Sequence, residues 1–151
     1  MDSQFDIPIL FLVFNRPRKT QQVFDRIKSI KPLKLYIASD GPRNNRPDDT
    51  INCAAVNEIV RKIDWVCETK YLYRTENLGC SKAIVSAIDW FFEQEESGII
   101  LEDDCLPDPS FFQYCRELLS RYKDHSQIMM ISGSNMGHSF EGDSYCFSNY
   151  G

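Results

Sequence analysis

Short apolar runs alternate with stretches of helical periodicity along most of the chain, and this alternation constrains the fold more than any other feature. The run PILFLVF (Pro8–Phe14) is continuously apolar, which is typical of a strand buried on both faces of a sheet. The next stretch begins at Pro17, a residue suited to the first helical position, and repeats apolar residues at helical spacing. Strands that alternate with helices are joined by right-handed crossovers, so we expect an α/β fold, a three-layer sandwich around a mostly parallel sheet.

The pattern continues to residue 132 and predicts five strands and four helices. Helices are predicted to begin at Pro17, at Asp48, after Gly79 and after an Asp108 cap. Strands are predicted at Pro8–Phe14, Lys34–Asp40, Lys70–Glu76, Gly98–Glu102 and Ile128–Ser132. The predicted inward helix faces are Val23, Ile27 and Ile30; Ala55, Ile59 and Ile63; Ile84, Ile88 and Phe91 or Phe92; and Phe111, Cys115, Leu118 and Tyr122.

Length and charge limit the classes of partner. The 151 residues carry a net charge of −5, and nucleic-acid binders usually present a basic surface, so we expect no nucleic-acid partner. No apolar run approaches the ~18 residues of a membrane-spanning helix, and no signal peptide precedes the first strand. We therefore expect a cytoplasmic protein without a transmembrane segment, with one domain over residues 1–151 and an irregular loop tail over residues 133–151.

Polar residues follow each of the first four predicted strands. Because ligands of open parallel sheets lie beyond the carboxyl ends of the strands, these residues are expected to share one site. They are Asn15 and Arg16; Asp40, Gly41 and Arg43; Asn77, Gly79 and Lys82; and Glu102, Asp103 and Asp104.

The acidic triplet Glu102-Asp103-Asp104 directly follows a predicted buried strand. Adjacent carboxylates repel one another, and a divalent cation relieves the repulsion. Mg²⁺ and Mn²⁺ prefer oxygen ligands, commonly one or two carboxylates together with substrate phosphates. A solvated acidic turn is the alternative interpretation, but the position opposite three other polar strand ends favours a metal.

Two further features indicate a nucleotide. Gly79 precedes a predicted helix whose free N–H groups, together with Lys82, favour a phosphate. Asp40 accepts hydrogen bonds only, which suits the N–H of uracil or thymine, although a turn-forming Asp before Gly-Pro is an equally good interpretation. Neither GxGxxG nor GxxxxGK[ST] occurs, which argues against an NAD-type dehydrogenase and a P-loop ATPase. Arg43, Arg46 and Arg74 are interpreted as solvated surface charges.

Four segments together resemble the nucleotide-sugar-binding half of GT-A glycosyltransferases, both bacterial family-2-like enzymes and the N-acetylglucosaminyltransferase I type, which has EDD in place of DxD. The resemblance covers roughly residues 7 to 135. The segments are PILFLVFNRP, IASDGPR, ENLGCSKAI and IILEDDCLPDPSFF.

The resemblance implies a glycosyltransferase donor domain that binds a UDP- or dTDP-sugar through Mn²⁺ or Mg²⁺ and transfers the sugar to a glycan or other acceptor. It implies that Phe14, Asn15 and Arg16 line the nucleotide pocket and that Asp40 contacts the base. It further implies that Lys82 approaches the diphosphate, Glu102 the ribose and Asp103 the donor sugar, and that Asp104 binds the metal.

The catalytic base is unknown from this sequence. Inverting enzymes of this type carry the base and most of the acceptor site in the second half of the domain, which we expect this chain to lack. Glu141 and Asp143 are better interpreted as loop charges. The alternatives are a sugar nucleotidyltransferase, which would carry a Gly-rich signature after the first strand, and a non-catalytic α/β module that binds a nucleotide or Mg²⁺.

Overall fold

The computed structural model describes residues 4–134. These residues divide into two compact units, with the boundary between Pro107 and Asp108. The first unit contains four strands and three helices. In chain order these are β1 (Ile9–Val13), α1 (Pro17–Ile30), β2 (Lys34–Ser39), α2 (Pro47–Val60), β3 (Glu68–Tyr73), α3 (Cys80–Phe92) and β4 (Ile99–Glu102).

The four strands form one all-parallel sheet in the order β3-β2-β1-β4. Every residue of β1 is buried, which confirms a strand covered on both faces. The α/β class and the parallel sheet are therefore confirmed, and the topology is that of a Rossmann-like α/β fold.

The strand order explains where the helices lie. The chain moves from β1 to β2 to β3 in one direction, so right-handed crossovers place α1 and α2 on the same face, where they contact each other. The crossover from β3 back to β4 reverses direction, so α3 covers the opposite face. There Ala87 and Phe91 of α3 pack with Leu10, Tyr36 and Ala38 of the sheet.

The change of direction in the strand order lies between β1 and β4. The connection that leaves β1 and the connection that arrives at β4 lie on opposite faces of the sheet, so the strand order reverses between β1 and β4. Ligands of open α/β sheets bind at such a switch point. The residues that follow β1 and β4 therefore occupy the position where a site is expected.

The predicted inward helix faces agree with the structure only in part. On α2 the buried residues are Asp49, Cys53, Val56 and Val60, whereas Ala55, Ile59 and Ile63 are half-buried. Apolar residues are spread around this helix, so its sequence does not define a single inward face. On α3 the predicted Phe91 is fully buried, and the predicted Ile84 and Ile88 are partly buried and pack against the core, while Ala83 and Ala87 are buried as well.

In the second unit, α4 (Ser110–Tyr122) buries Phe112, Cys115 and Leu118. The Asp108 carboxylate accepts the Ser110 backbone N–H at 2.9 Å and the Ser110 hydroxyl at 2.7 Å, so the predicted Asp108 cap lies just before the helix. The predicted strand Ile128–Ser132 is wrong: this segment is irregular, with Met129 94% exposed. The predicted loop tail lies almost wholly outside the described residues.

No helix within residues 4–134 is long and apolar enough to cross a membrane.

Candidate nucleotide-binding site

A cavity of about 440 Å³ lies at the carboxyl ends of the strands, between the sheet and α3. This volume is within the range of small-molecule pockets. Six of the eight residues to which the resemblance assigns a role line the cavity: Phe14, Asn15, Arg16, Asp40, Glu102 and Asp103. Two others do not. Lys82 is exposed on α3, and Asp104 follows Asp103 outside the lining.

Arg16 joins the two strand ends that flank the switch point. One guanidinium nitrogen, Nη2, lies 2.6 Å from Oδ1 of Asp103, and the other, Nη1, lies 2.5 Å from Oδ2 of Asp104. Arg16 follows β1 and the two aspartates follow β4, so this double ion pair bridges the switch point. Two adjacent carboxylates are thereby held beside one resident positive charge.

Asp103 is the most deeply buried member of the acidic triplet, with 1% of its surface exposed. Besides Arg16, its Oδ2 accepts the Phe14 backbone N–H at 3.3 Å and the Thr20 hydroxyl at 3.4 Å. Burial holds the pKa of Asp103 above its usual range, and the Arg16 charge opposes that shift. The side chain therefore ties β1 and α1 to the end of β4.

A second ion pair fixes the loop after β2. Asp49, on α2, is 3% exposed and accepts hydrogen bonds from Arg43 Nε at 2.6 Å and Nη2 at 3.0 Å. Asn15 donates to the same carboxylate at 2.6 Å. Arg43 also lies over the Phe14 ring, 5.4 Å from its centroid. Asn15, Phe14 and Arg43 are thus held at the cavity by one buried carboxylate.

Hydrogen bonds from Arg43 hold the pKa of Asp49 well below its usual range, and burial opposes this shift. The unfolded chain has an ordinary Asp pKa of about 4, so the stabilisation is present above that pH and is lost as the pH falls below it. We expect Asp49→Asn to lower the urea midpoint at pH 7, and the gap to wild type to narrow between about pH 5 and pH 2.

The control for this prediction is the exposed neighbour Asp48. Asp48→Asn should change the urea midpoint at pH 7 far less than Asp49→Asn does, since Asp48 contributes only its charge in the first turn of α2. A gap between wild type and Asp49→Asn that stays constant from pH 7 to pH 2 would contradict the assigned ion pair.

Asp40, which directly follows β2, is 8% exposed, and its carboxylate accepts hydrogen bonds from other residues of the chain. Its Oδ1 accepts the backbone N–H groups of Gly41 and Leu78, each at 3.0 Å. Its Oδ2 accepts Nδ2 of Asn77 at 2.8 Å. Asp40 therefore binds the loop between β3 and α3 to the end of β2.

Comparisons with protein-family models, curated proteins and solved structures gave no match to this chain.

Two charges of the cavity have no opposite charge within residues 4–134. The Arg74 guanidinium donates only to the Ser86 hydroxyl, at 2.7 Å, and the Glu102 carboxylate makes neither a hydrogen bond nor an ion pair there. The other lining cations, Arg16 and Arg43, are paired with aspartates. Arg74 and Glu102 are therefore the charges that the cavity offers to a ligand.

The acidic triplet fits a divalent metal as a partial ligand set. Asp104 has a side chain that is 32% exposed, and its Oδ1 contacts the Cys105 thiol at 3.7 Å while Oδ2 accepts from Arg16. Within residues 4–134 no group of three or more His, Cys, Asp or Glu side chains forms a metal site. Mg²⁺ in nucleotide sites commonly takes one or two carboxylates and completes its shell with phosphate oxygens and water.

Sequence reasoning missed the contributions of Asp49 and Arg74. Asp49 lies in the first turn of a predicted helix and Arg74 is interpreted as a surface charge, whereas Arg43 is placed at the predicted site although its charge is interpreted as solvated. An acidic residue at the first turn of a helix and an arginine in a polar loop are both common at the surface, so the sequence carries no signal for their pairing or for the place of Arg74 in the cavity.

Proposed function

We propose that the chain is the donor-binding part of a glycosyltransferase, which holds a UDP- or dTDP-sugar with the help of a divalent metal and transfers the sugar to an acceptor that is not identified. The observation that supports this best is the convergence of six predicted site residues on one cavity at the switch point of a parallel sheet. The GT-A class of the fold belongs to the same proposal.

The residues at β4 have roles that suit their surroundings. Glu102 has a free carboxylate at the cavity, and a carboxylate accepts hydrogen bonds from ribose hydroxyls. Asp104 supplies an exposed oxygen for the metal. When bound, the metal stabilises the negative charge that the nucleoside diphosphate gains as the glycosidic bond breaks. Asp103 forms an ion pair with Arg16 and so keeps the guanidinium beside Asp104.

The loop after β1 favours a glycosyltransferase over a sugar nucleotidyltransferase. Only Phe14, Asn15 and Arg16 separate β1 from α1. This loop contains no glycine, and its three residues are held by Arg43, Asp49 and Asp103. A short loop tied in this way does not wrap the triphosphate that a nucleotidyltransferase must bind.

Isothermal calorimetry of the 151-residue chain with UDP tests the proposal. We expect UDP to bind in the presence of Mn²⁺ and to bind more weakly with EDTA, since Asp104 would hold a metal ion whose positive charge would attract the phosphate groups. Glu102→Gln should weaken binding of UDP about tenfold, as expected for a hydrogen bond to a charged group.

The matched control is Glu96→Gln, which changes an exposed carboxylate outside the cavity and should bind UDP as wild type does. A folded sample that shows no heat of binding with UDP or dTDP, with or without Mn²⁺, would remove the proposed function.

A further inference from the structure

We propose that Arg16 competes with a divalent cation for Asp104, and that its guanidinium turns from Asp104 to the diphosphate of the ligand when the cation binds. This inference rests on the proposed function and adds a competition at the same site. The ligand-free chain is expected to bind Mn²⁺ weakly, because Asp103 and Asp104 already hold a positive charge between them.

The guanidinium of Arg16 is bound by two adjacent aspartates at once. Nη2 lies 2.6 Å from Oδ1 of Asp103, and Nη1 lies 2.5 Å from Oδ2 of Asp104. Adjacent carboxylates repel one another, so a positive charge shared between them stabilises the pair. Arg16 therefore compensates in the ligand-free chain the negative charge that would otherwise attract a divalent cation.

The two halves of this double ion pair differ in how readily they separate. The Asp103 side chain is 1% exposed and also accepts the Phe14 backbone N–H and the Thr20 hydroxyl, so it is fixed in place. The side chains of Asp104 and Arg16 are 32% and 41% exposed, and ion pairs that water reaches contribute little to stability. The contact between Arg16 and Asp104 is therefore the one that can be exchanged at low cost.

A cation on Asp104 and the guanidinium in its present place repel each other. Bonds from Mg²⁺ to oxygen are about 2.1 Å long, so a cation on either oxygen of Asp104 would lie within about 7 Å of Arg16 Nη1. The repulsion between a double and a single positive charge at this separation weakens binding about tenfold even in water. Arg16 therefore lowers the affinity of Asp104 for Mn²⁺ alone.

The guanidinium has a donor that its own chain leaves unused. Arg16 Nε is buried and has no hydrogen-bond partner among residues 4–134. Buried polar atoms are nearly always paired, with protein, water or a ligand. Arginine binds phosphate through two parallel N–H donors, and Arg16 lines the cavity in which the diphosphate is proposed to lie. A diphosphate would therefore give Arg16 an anionic partner in exchange for Asp104.

This exchange of partners couples the binding of the two ligands. The diphosphate engages Arg16 and so frees Asp104 for the cation, and by thermodynamic reciprocity the cation favours the diphosphate to the same extent. Cation and phosphate also attract each other directly, whatever residue stands at position 16. The contribution of Arg16 is therefore isolated when each ligand is measured without the other.

Mn²⁺ binding to the full chain without nucleotide, followed by the electron paramagnetic resonance signal of free Mn²⁺, tests the competition. Arg16→Met should bind Mn²⁺ about tenfold more tightly than wild type, because the repulsion is removed. Arg16→Lys keeps the positive charge and should stay within about threefold of wild type. Adding Asp104→Asn to Arg16→Met should abolish the gain.

The same Arg16→Met variant should bind UDP in EDTA about tenfold more weakly than wild type, because the diphosphate loses a charged donor. Calorimetry measures this change. A merely structural role of Arg16 would weaken the binding of both ligands. Tighter Mn²⁺ binding together with weaker UDP binding in one variant is the result expected from competition.

The matched control is Arg18→Met, which changes an exposed arginine of α1 outside the cavity and should bind both ligands as wild type does. Arg16→Gln replaces Arg16→Met if the latter does not fold, since the glutamine amide can still donate to the buried Asp103.

A folded variant with Met or Gln at position 16 that binds Mn²⁺ no more tightly than wild type overturns the inference. The proposed function then stands as long as wild type binds UDP with Mn²⁺. A wild type that binds UDP under neither condition removes the proposed function and, with it, the inference that rests on it.

Discussion

Replacing Arg16 with methionine is expected to lower the free energy of unfolding by about 2–3 kcal/mol at pH 7. Removing one partner of a buried ion pair typically costs about 3–5 kcal/mol, because the other charge stays buried without compensation. Asp103 is fully enclosed at 1% exposure, but the Arg16 side chain is 41% exposed, so water screens part of the interaction and the expected loss is smaller.

The loss of stability in Arg16→Met should be larger at high pH than at low pH. Burial already raises the pKa of Asp103, and Arg16 limits the rise. Without Arg16 the pKa rises further, so the folded variant takes up a proton more readily than the unfolded chain does. The penalty is then largest at pH 8 and shrinks as the pH falls and Asp103 becomes neutral.

Urea denaturation of wild type and Arg16→Met at pH 8 and pH 5 measures both effects. Arg18→Met is the matched control, since Arg18 is an exposed arginine of the same helix, α1. A variant as stable as wild type at pH 8 would show that the buried Asp103 does not depend on Arg16.

Gly41→Ala is expected to cost about 3 kcal/mol, the upper end of the usual range for overpacking. A Cβ at position 41 would lie 2.5 Å from the backbone carbon and 2.6 Å from the backbone nitrogen of Glu76. Neither atom belongs to a flexible side chain, so the segment before Asn77 would have to move. The same displacement would break the hydrogen bonds between Asp40 and this segment and weaken UDP binding.

Gly79→Ala separates this steric effect from backbone strain. Gly79 has φ +80° and ψ 154°, a conformation that is essentially restricted to glycine, but a Cβ there would meet no atom within 4 Å. Its expected cost is about 1–2 kcal/mol from strain alone. Thermal or urea unfolding of the two variants compares them, and a Gly41→Ala variant more stable than Gly79→Ala would contradict the close approach to Glu76.

The sequence was sufficient to predict the four strands, the four helices and the parallel sheet, because each apolar run and each periodic stretch is a local signal. It failed at Ile128–Ser132, since a short apolar run becomes a strand only when a neighbouring strand pairs with it. It also failed to identify the inward face of α2, where Val56 and Val60 are buried and Ile59 is not.

For the candidate site, too, one part was predictable from the sequence and another part was not. The convergence of strand ends follows from topology and was predictable, whereas the pairing of Arg16 with Asp104, 88 residues later, depends on side-chain positions that no local pattern encodes. The predicted roles of all eight site residues stay predictions, and two of these residues, Lys82 and Asp104, do not line the cavity. Glu141 and Asp143 lie outside the described residues.

The central claim is that the cavity at the carboxyl ends of the sheet binds a nucleoside diphosphate, and residue-resolved NMR tests it most directly. Amide spectra of ¹⁵N-labelled chain titrated with UDP and Mg²⁺ should shift at Asn15, Gly41, Leu78, Gly79 and Asp103, with little change on the outer face of α1 and α2. Saturating UDP that leaves these five amides unmoved, or that shifts only amides remote from the cavity, would contradict the claim.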